Sequence, residues 1–387
     1  MCVLKVGVLL RLTGPDLPDL PAESRRQPSS IYKCLVNRAW GDPATLHLLL
    51  IQACQLEFDF LSILPHPEHM RHFLDFEKAV AELEAKIDEL RRMTDPGELN
   101  IAEEVAQLSD KAGRQLRAIY SKLTAWQKTQ VARHPERPKA KDVISGLITD
   151  FTPLSGDRAF GEDAAIVAGP GRFRGDPVMV IAIEKGSDLE SRLKHNFGSP
   201  RPDGYRKARR LIEMAGRFGL PILSFVDTSG AYPGIDAEAR GQAEAIARGI
   251  DACLEAPVPF VASIIGEGGS GGAIAIAAAD FVLMFEHAIY SVISPEGCAA
   301  ILWEDRANAA QAAEAMKITA QDLKRLNIID RIVREPLGGA NRDPRAAIAS
   351  LGEAIAGALK PLQGLTPEAL RAKRREKFLA MGQSQLG

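Results

Sequence analysis

An apolar run that passes straight into a glycine cluster and then into alanines, PVPFVASIIGEGGSGGAIAIAAAD at residues 257–280, leaves few choices of fold. A continuous apolar strand has both faces covered, as happens when helices cross over a mostly parallel sheet. Glycine supplies the positive φ of a tight turn, and the small residues from Ala273 onward read as the helix that follows. The unit recurs along the chain. GYRKARRLIEMAGRFGLPILSFVD, 204–227, reads as a helix with Ala208, Leu211, Ile212, Ala215 and Phe218 on one face, followed by a buried strand. DAEARGQAEAIARGIDACLEA, 236–256, reads as another helix, and AAIVAGPGRFRGDPVMVIAIEKG, 164–186, as a hairpin. FVLMFEHAIYSVIS, 281–294, gives two short strands broken near Glu286 and His287. From about residue 140 the pattern is that of an α/β layered domain.

Upstream the texture differs. Residues 1–69 hold three of the five cysteines and several prolines, with no sustained period of two or 3.6, and are expected either to lack order or not to be translated. In MRHFLDFEKAVAELEAKIDELRRM, opening at Met70, Phe76, Val80, Leu83, Ile87 and Leu90 repeat at four and three residues, which makes one helix with an apolar stripe. After DPGE, Asn100 and Glu103 read as N-cap and N3 of a second helix carrying Val105, Leu108, Leu116, Ile119, Leu123 and Trp126. The prolines of RHPERP end it. The expected organisation is an extension over 1–69, an antiparallel helical hairpin over 70–138, the α/β domain over 139–345 and a helical segment over 346–387.

Composition removes several classes of function. Lys and Arg number 48 against 50 Asp and Glu, so the formal charge of −2 gives no general pull toward nucleic acid or an anionic membrane. No apolar run reaches the roughly 18 residues of a membrane span, and Lys5 and Arg11 interrupt the short apolar start, which has no signal-peptide cleavage site. Cys2, Cys34, Cys54, Cys253 and Cys298 form no C-x-x-C pair, which fits a reduced, cytoplasmic setting. His66, His69 and His72 meet zinc-ligand spacing only loosely, and no metal is expected. Neither a G-x-G-x-x-G with a following acid nor a P-loop occurs.

The glycine cluster contains Gly268-Gly269-Ser270-Gly271-Gly272, a G-x-S-x-G string that also describes a serine nucleophile elbow. An elbow needs an acid and then a histidine downstream. Only His287 follows, seventeen residues on, which leaves no room for a separate element carrying the acid between them, while His134 and His195 lie upstream without supporting context. The reading preferred here puts the chemistry on the backbone: consecutive amides at Gly271 and Gly272, opening a helix, can point at an oxyanion. Close helix packing by small residues is the structural alternative. FVDTSGAYPGIDAE, 225–238, is a second strand-to-helix turn, in which Gly230, Tyr232 and Gly234 are candidate binding positions. In YSVISPEGCAAILW, 290–303, Glu296 is either an acid–base group or a favourable charge at a helix start, and the latter is preferred; Cys298 reads as a small buried residue.

Taken in order, GYRKA, DTSGAYPG, EARGQAEAIAR, IGEGGSGGA, YSVISPEGCAAILW and EPLGGA resemble the carboxyltransferase α subunits of multi-subunit bacterial acetyl-CoA carboxylases, and the likeness runs from about Met70 to about residue 380. Ser229 stands where that family usually has Pro, and Asn341 where it usually has His. The resemblance implies a crotonase-like (ClpP/crotonase) fold of repeated ββα units. It implies transfer of the carboxyl group of carboxybiotin, carried on the biotin carboxyl carrier protein downstream of biotin carboxylase, to acetyl-CoA, giving malonyl-CoA in the first committed step of fatty acid synthesis. It also implies a β subunit, which brings the zinc ribbon and the second oxyanion hole, in an α2β2 assembly. On this reading Gly271 and Gly272 are the catalytic amides, and Gly268, Gly269, Ser270, Gly230, Tyr232 and Gly234 line the substrate. The basic segment 191–210 is either a docking strip for the carrier or CoA phosphates or a solvated helix face. The alternative on the same fold is an enoyl-CoA hydratase or isomerase using Glu267 or Glu296 as acid and base.

Overall fold

A computed structural model describes residues 71–93 and 99–383; those from His72 onward lie in one compact unit. The expectations for residues 1–69, with His66 and His69, fall outside the described residues. No helix among the described residues is long and apolar enough to cross a membrane.

The N-terminal part holds helices α1 (Lys78–Met93), α2 (Leu99–Tyr120) and α3 (Ala125–Ala132). The apolar stripe of α1 meets α2 as its spacing requires, with Val80 and Leu83 buried against Ala112, Leu116 and Tyr120. Two details differ from the sequence reading. Asn100 lies inside α2 and does not cap it. The second helix also does not run on to Trp126: the chain breaks after Tyr120, and Thr124 caps α3 by accepting from the Gln127 amide in a capping box.

Beyond α4 (Ala140–Leu147) comes the sheet: β1 (Ile148–Thr149), β2 (Ile166–Phe173), β3 (Asp176–Ile183), then after α5 (Leu189–Lys194) and α6 (Pro202–Phe218) β4 (Ile222–Thr228). Next follow α7 (Ile235–Ala239), α8 (Gln242–Glu255), β5 (Phe260–Gly269), α9 (Ser270–Ile274), β6 (Phe281–Phe285) and β7 (Ile289–Ser291). The chain closes with α10 (Pro295–Trp303), α11 (Ala309–Ala315), α12 (Ala320–Arg325), β8 (Arg331–Val333), α13 (Pro344–Leu359) and α14 (Pro367–Ala380).

The strands order as β1-β2-β3-β4-β5-β6-β8, with β7 beside the end of β5. β2 and β3 form the expected antiparallel hairpin, while β3, β4, β5, β6 and β8 run parallel. A hairpin feeding parallel strands through covering helices is the ββα succession of the crotonase-like fold. Every residue of β4 and β5 is buried, because both faces of the parallel sheet are covered.

Three helical expectations change. Segment 236–256 is two helices, since Gly241 at φ 81° breaks it between α7 and α8. The helix after the glycine cluster has five residues, not the longer run expected, because the alanines from Ala275 form tight buried turns that lead directly into β6. Phe218, placed on the buried face of α6 by its spacing, sits at the last turn and is 73% exposed, while Ala208, Leu211, Ile212 and Ala215 are buried.

Candidate functional site

Two strand ends build the site. At the end of β4, the Thr228 hydroxyl donates to the Gly230 carbonyl and accepts from the Gly230 amide, each at 2.9 Å, closing a tight turn at Gly230, φ 145°. The loop is then pinned from outside. The Tyr232 amide donates to the Pro200 carbonyl at 3.0 Å, and the Gln242 carboxamide nitrogen donates to the carbonyls of Pro200 and Tyr232, both at 3.0 Å. The Arg201 guanidinium lies 4.5 Å from the centre of the Tyr232 ring.

At the end of β5 the register against β4 shifts: Val226 pairs with Ile264 but Thr228 pairs with Gly268. The irregularity leaves residues 265–267 opposite Asp227 alone, and the Glu267 amide donates to the Asp227 carboxylate at 2.9 Å. A side chain on Gly266 would strike that carboxylate, at 2.5 Å, and one on Gly269 would lie 2.2 Å from the Ser229 carbonyl. Glycine is therefore required at both positions for the strand ends to approach.

Ser270 follows at φ 56° and opens α9. The N-cap is Gly269, so no side chain accepts from the amides of Gly271 and Gly272, and the first amides of a helix have no partner within it. Gly272 stands against the β4 loop: a Cβ on it would lie 2.7 Å from the Tyr205 hydroxyl and 2.8 Å from the Ala231 amide. Tyr205 is fully buried, its hydroxyl unpartnered and its ionisation pushed up by burial and by Asp163. Gly271 is half-buried, with only Ile246 near its Cβ direction, at 3.4 Å.

A cleft of about 390 Å³ opens between the two turns, lined by Ser229–Pro233, Glu238, Gln242, Ala243, Ile246, Ser270 and Val292–Ser294. Of the residues singled out from sequence, Gly230, Tyr232 and Ser270 face this cleft, with Gly268 and Gly269 buried beneath it. Gly234, Gly271 and Gly272 are not among its lining residues; Gly234 is the N-cap of α7, and Gly271 and Gly272 follow Ser270 in α9. Sequence reasoning missed Gln242 and Val292–Ser294. Gln242 is the fifth residue of the quoted EARGQAEAIAR string, but nothing in the string says which loops it bridges.

No described histidine serves Ser270. The His134 ring bonds the His72 carbonyl at 3.0 Å, and His195 bonds the Ala164 carbonyl at 2.6 Å and Lys141 at 3.0 Å. His287 is buried beside Glu335, and burial keeps its pKa low. Glu267 and Glu296, the acid–base alternatives, are both bound by Arg133, at 2.6 and 2.5 Å. Burial raises the Glu296 pKa, but the Arg133 hydrogen bond outweighs it and holds the carboxyl below the usual range. Ser294, as N-cap, accepts from Gly297, so Glu296 sits in the first turn of α10 as expected for a helix-start charge. Cys298 is half-buried, not fully buried as its setting suggested. Much of the basic segment is paired: Lys207 bonds Glu162 at 2.5 Å and Arg209 bonds Glu213 at 2.8 Å.

Residues 73–382 match the family described as acetyl co-enzyme A carboxylase carboxyltransferase-like. The acetyl-coenzyme A carboxylase carboxyl transferase subunit alpha of Acidiphilium cryptum is 87% identical over 315 residues, covering 81% of this chain and 99% of its own length. The same subunit of Gluconacetobacter diazotrophicus is 66% identical over 317 residues, covering 82% of this chain and all of its own. Among solved structures, transcarboxylase 12S is a distant likeness, with a TM-score of 0.49 and 20% identity over 60% of this chain and 44% of its own.

Proposed function

The chain belongs to the acetyl co-enzyme A carboxylase carboxyltransferase family, and on that premise we propose how its α subunit acts in carboxyl transfer from carboxybiotin to acetyl-CoA, giving malonyl-CoA. The observation that carries the reading is the glycine-capped start of α9 beside a cleft to which no histidine contributes and whose one lining carboxylate is Glu238 of α7. Bound carboxybiotin supplies the carboxyl group and, once it is given up, a ureido nitrogen basic enough to take the proton of the acetyl methyl group.

The chain's own residues have the remaining tasks. The amides of Gly271 and Gly272 donate to the ureido oxygen as negative charge develops there; fixed dipoles of this kind lower a barrier without reorganising. Gly268 and Gly269 let the two strand ends close, Ser270 makes the left-handed turn, and the Gly230–Tyr232 loop forms the facing wall. The enoyl-CoA hydratase alternative finds no support: both carboxylates it would use are held by one guanidinium. In this proposal a β subunit, in an α2β2 assembly, holds the acyl-CoA thioester, the biotin carboxyl carrier protein delivers the biotin, and biotin carboxylase loads it. The catalytic segment is 139–345, flanked by helical segments 70–138 and 346–387.

The test is malonyl-CoA-dependent carboxylation of free biotin, measured with and without the β subunit. Activity that needs both chains and largely survives Ser270→Ala supports the proposal. Loss with Ser270→Ala in a folded protein, or enoyl-CoA hydration by this chain alone, overturns it.

A further inference from the structure

Arg133 comes from outside the ββα core, at the C-cap of α3, yet its guanidinium bridges β5 and α10, each of which leads to or follows a cleft-lining residue. Its Nε and Nη2 donate to Glu267 Oε1 at 3.1 and 2.6 Å, and its Nη1 donates to Glu296 Oε1 at 2.5 Å. Glu267 lies three positions before Ser270 on β5, and Glu296 two positions after Ser294 on α10; Ser270 and Ser294 both line the cleft. The anchor points are rigid. The second Glu267 oxygen accepts from Lys185 at 3.3 Å, and Lys185 pairs with the buried Asp227 at 2.8 Å. α3 is itself seated by Ala125 and Ala132 against Ile289 and Ala313, so the arginine does not swing with a loose segment.

We propose that Arg133 is a positioning residue that sets the separation between the glycine turn and the Val292–Ser294 wall, and so the fit of the ureido ring in the cleft. The inference rests on the carboxyltransfer reading above. A planar guanidinium is suited to the task because it offers donors in fixed directions to two carboxylates at once, which the point charge of lysine does not. The Glu267 side chain is nearly buried, and those of Arg133 and Glu296 are about a third exposed. Within such a site a misplacement of about 1 Å costs on the order of 100-fold in rate.

The experiment uses the complex of this chain with its β subunit and reads biotin carboxylation from malonyl-CoA for wild type, Arg133→Ala, Arg133→Lys and Glu296→Gln. The expected result is a fall in kcat/KM for biotin of about 10- to 100-fold in the Arg133 variants, with KM for malonyl-CoA unchanged. Guanidinium ion, but not methylammonium, restores part of the Arg133→Ala loss. Glu296→Gln keeps the buried half of the clamp and gives the same split at smaller size, so the idea is tested even if Arg133→Ala folds poorly. Equal changes for both substrates in proportion to lost folded protein, or an Arg133→Lys variant with wild-type biotin kinetics, overturn it. A wild-type complex that fails to carboxylate biotin defeats the carboxyltransfer reading itself, a result separate from either.

Discussion

Adjacent glycines in the cluster differ in what they tolerate. A methyl on Gly272 meets the Tyr205 hydroxyl at 2.7 Å and the backbone of Gly230 and Ala231 just below 3 Å, so the two turns must part to admit it. Gly272→Ala is expected to lower stability by about 1–3 kcal/mol, seen as a lower urea midpoint. A methyl on Gly271 meets only Ile246 at ordinary contact distance. Gly271→Ala is therefore expected to fold like wild type and still lose about tenfold in biotin turnover, because its methyl crowds the proposed oxyanion site. Comparing the two variants separates packing from chemistry, a distinction that a bulky change at Gly272 alone blurs. The sequence showed which residues form the cluster; it did not show which of them touches the opposite loop, since that depends on a helix start meeting a strand end about forty residues earlier.

The elements themselves were legible wherever one period dominated. β4 and β5 read as buried strands, β2 and β3 as a hairpin, and α1 by its four-three stripe, because in each a single covered face or pair of faces dictates the spacing. The misreadings came where one residue overrides the period: Gly241 splitting α7 from α8, and Thr124 restarting α3. Long-range contacts were not legible at all, and α14 shows why they matter. Arg374 is almost fully buried and donates to the carbonyls of Cys253, Ala256 and Val258, at and just beyond the end of α8, while pairing with Asp280 at 2.7 Å. Removing one partner of a buried pair strands the other, so Arg374→Ala is expected to cost about 3–5 kcal/mol, read from equilibrium denaturation. Nothing in the local sequence of α14 marks Arg374 apart from its charged neighbours.

Across the whole molecule, buried ion pairs join segments far apart in the chain, and they fix how it responds to acid. Burial alone raises the Glu335 carboxyl, but Arg137, with both side chains fully buried, and then His287 outweigh it, so its pKa falls below the ordinary 4.5. Asp227, buried but facing Lys185 and Lys139, likewise falls below 3.8. Depressed carboxyls give stability that is complete above their unfolded pKa and lost as pH drops through the folded one. Asp163, raised by burial, acts in the opposite sense. The expected profile is steady near neutrality and falls below about pH 4.5; Glu335→Gln costs about 3–5 kcal/mol at pH 7 and flattens that fall, as denaturation midpoints at pH 7 and pH 4 will show. The same pairs also set a timetable. Arg137 and Glu335 are 198 residues apart, and Glu77 waits 265 residues for Arg342. At ribosomal rates of about 5–20 residues per second, Arg137 waits roughly 10 to 40 s for its counter-charge. The N-terminal helices are thus made early and locked late, and a nascent chain stalled before Glu335 is expected to leave them open to protease.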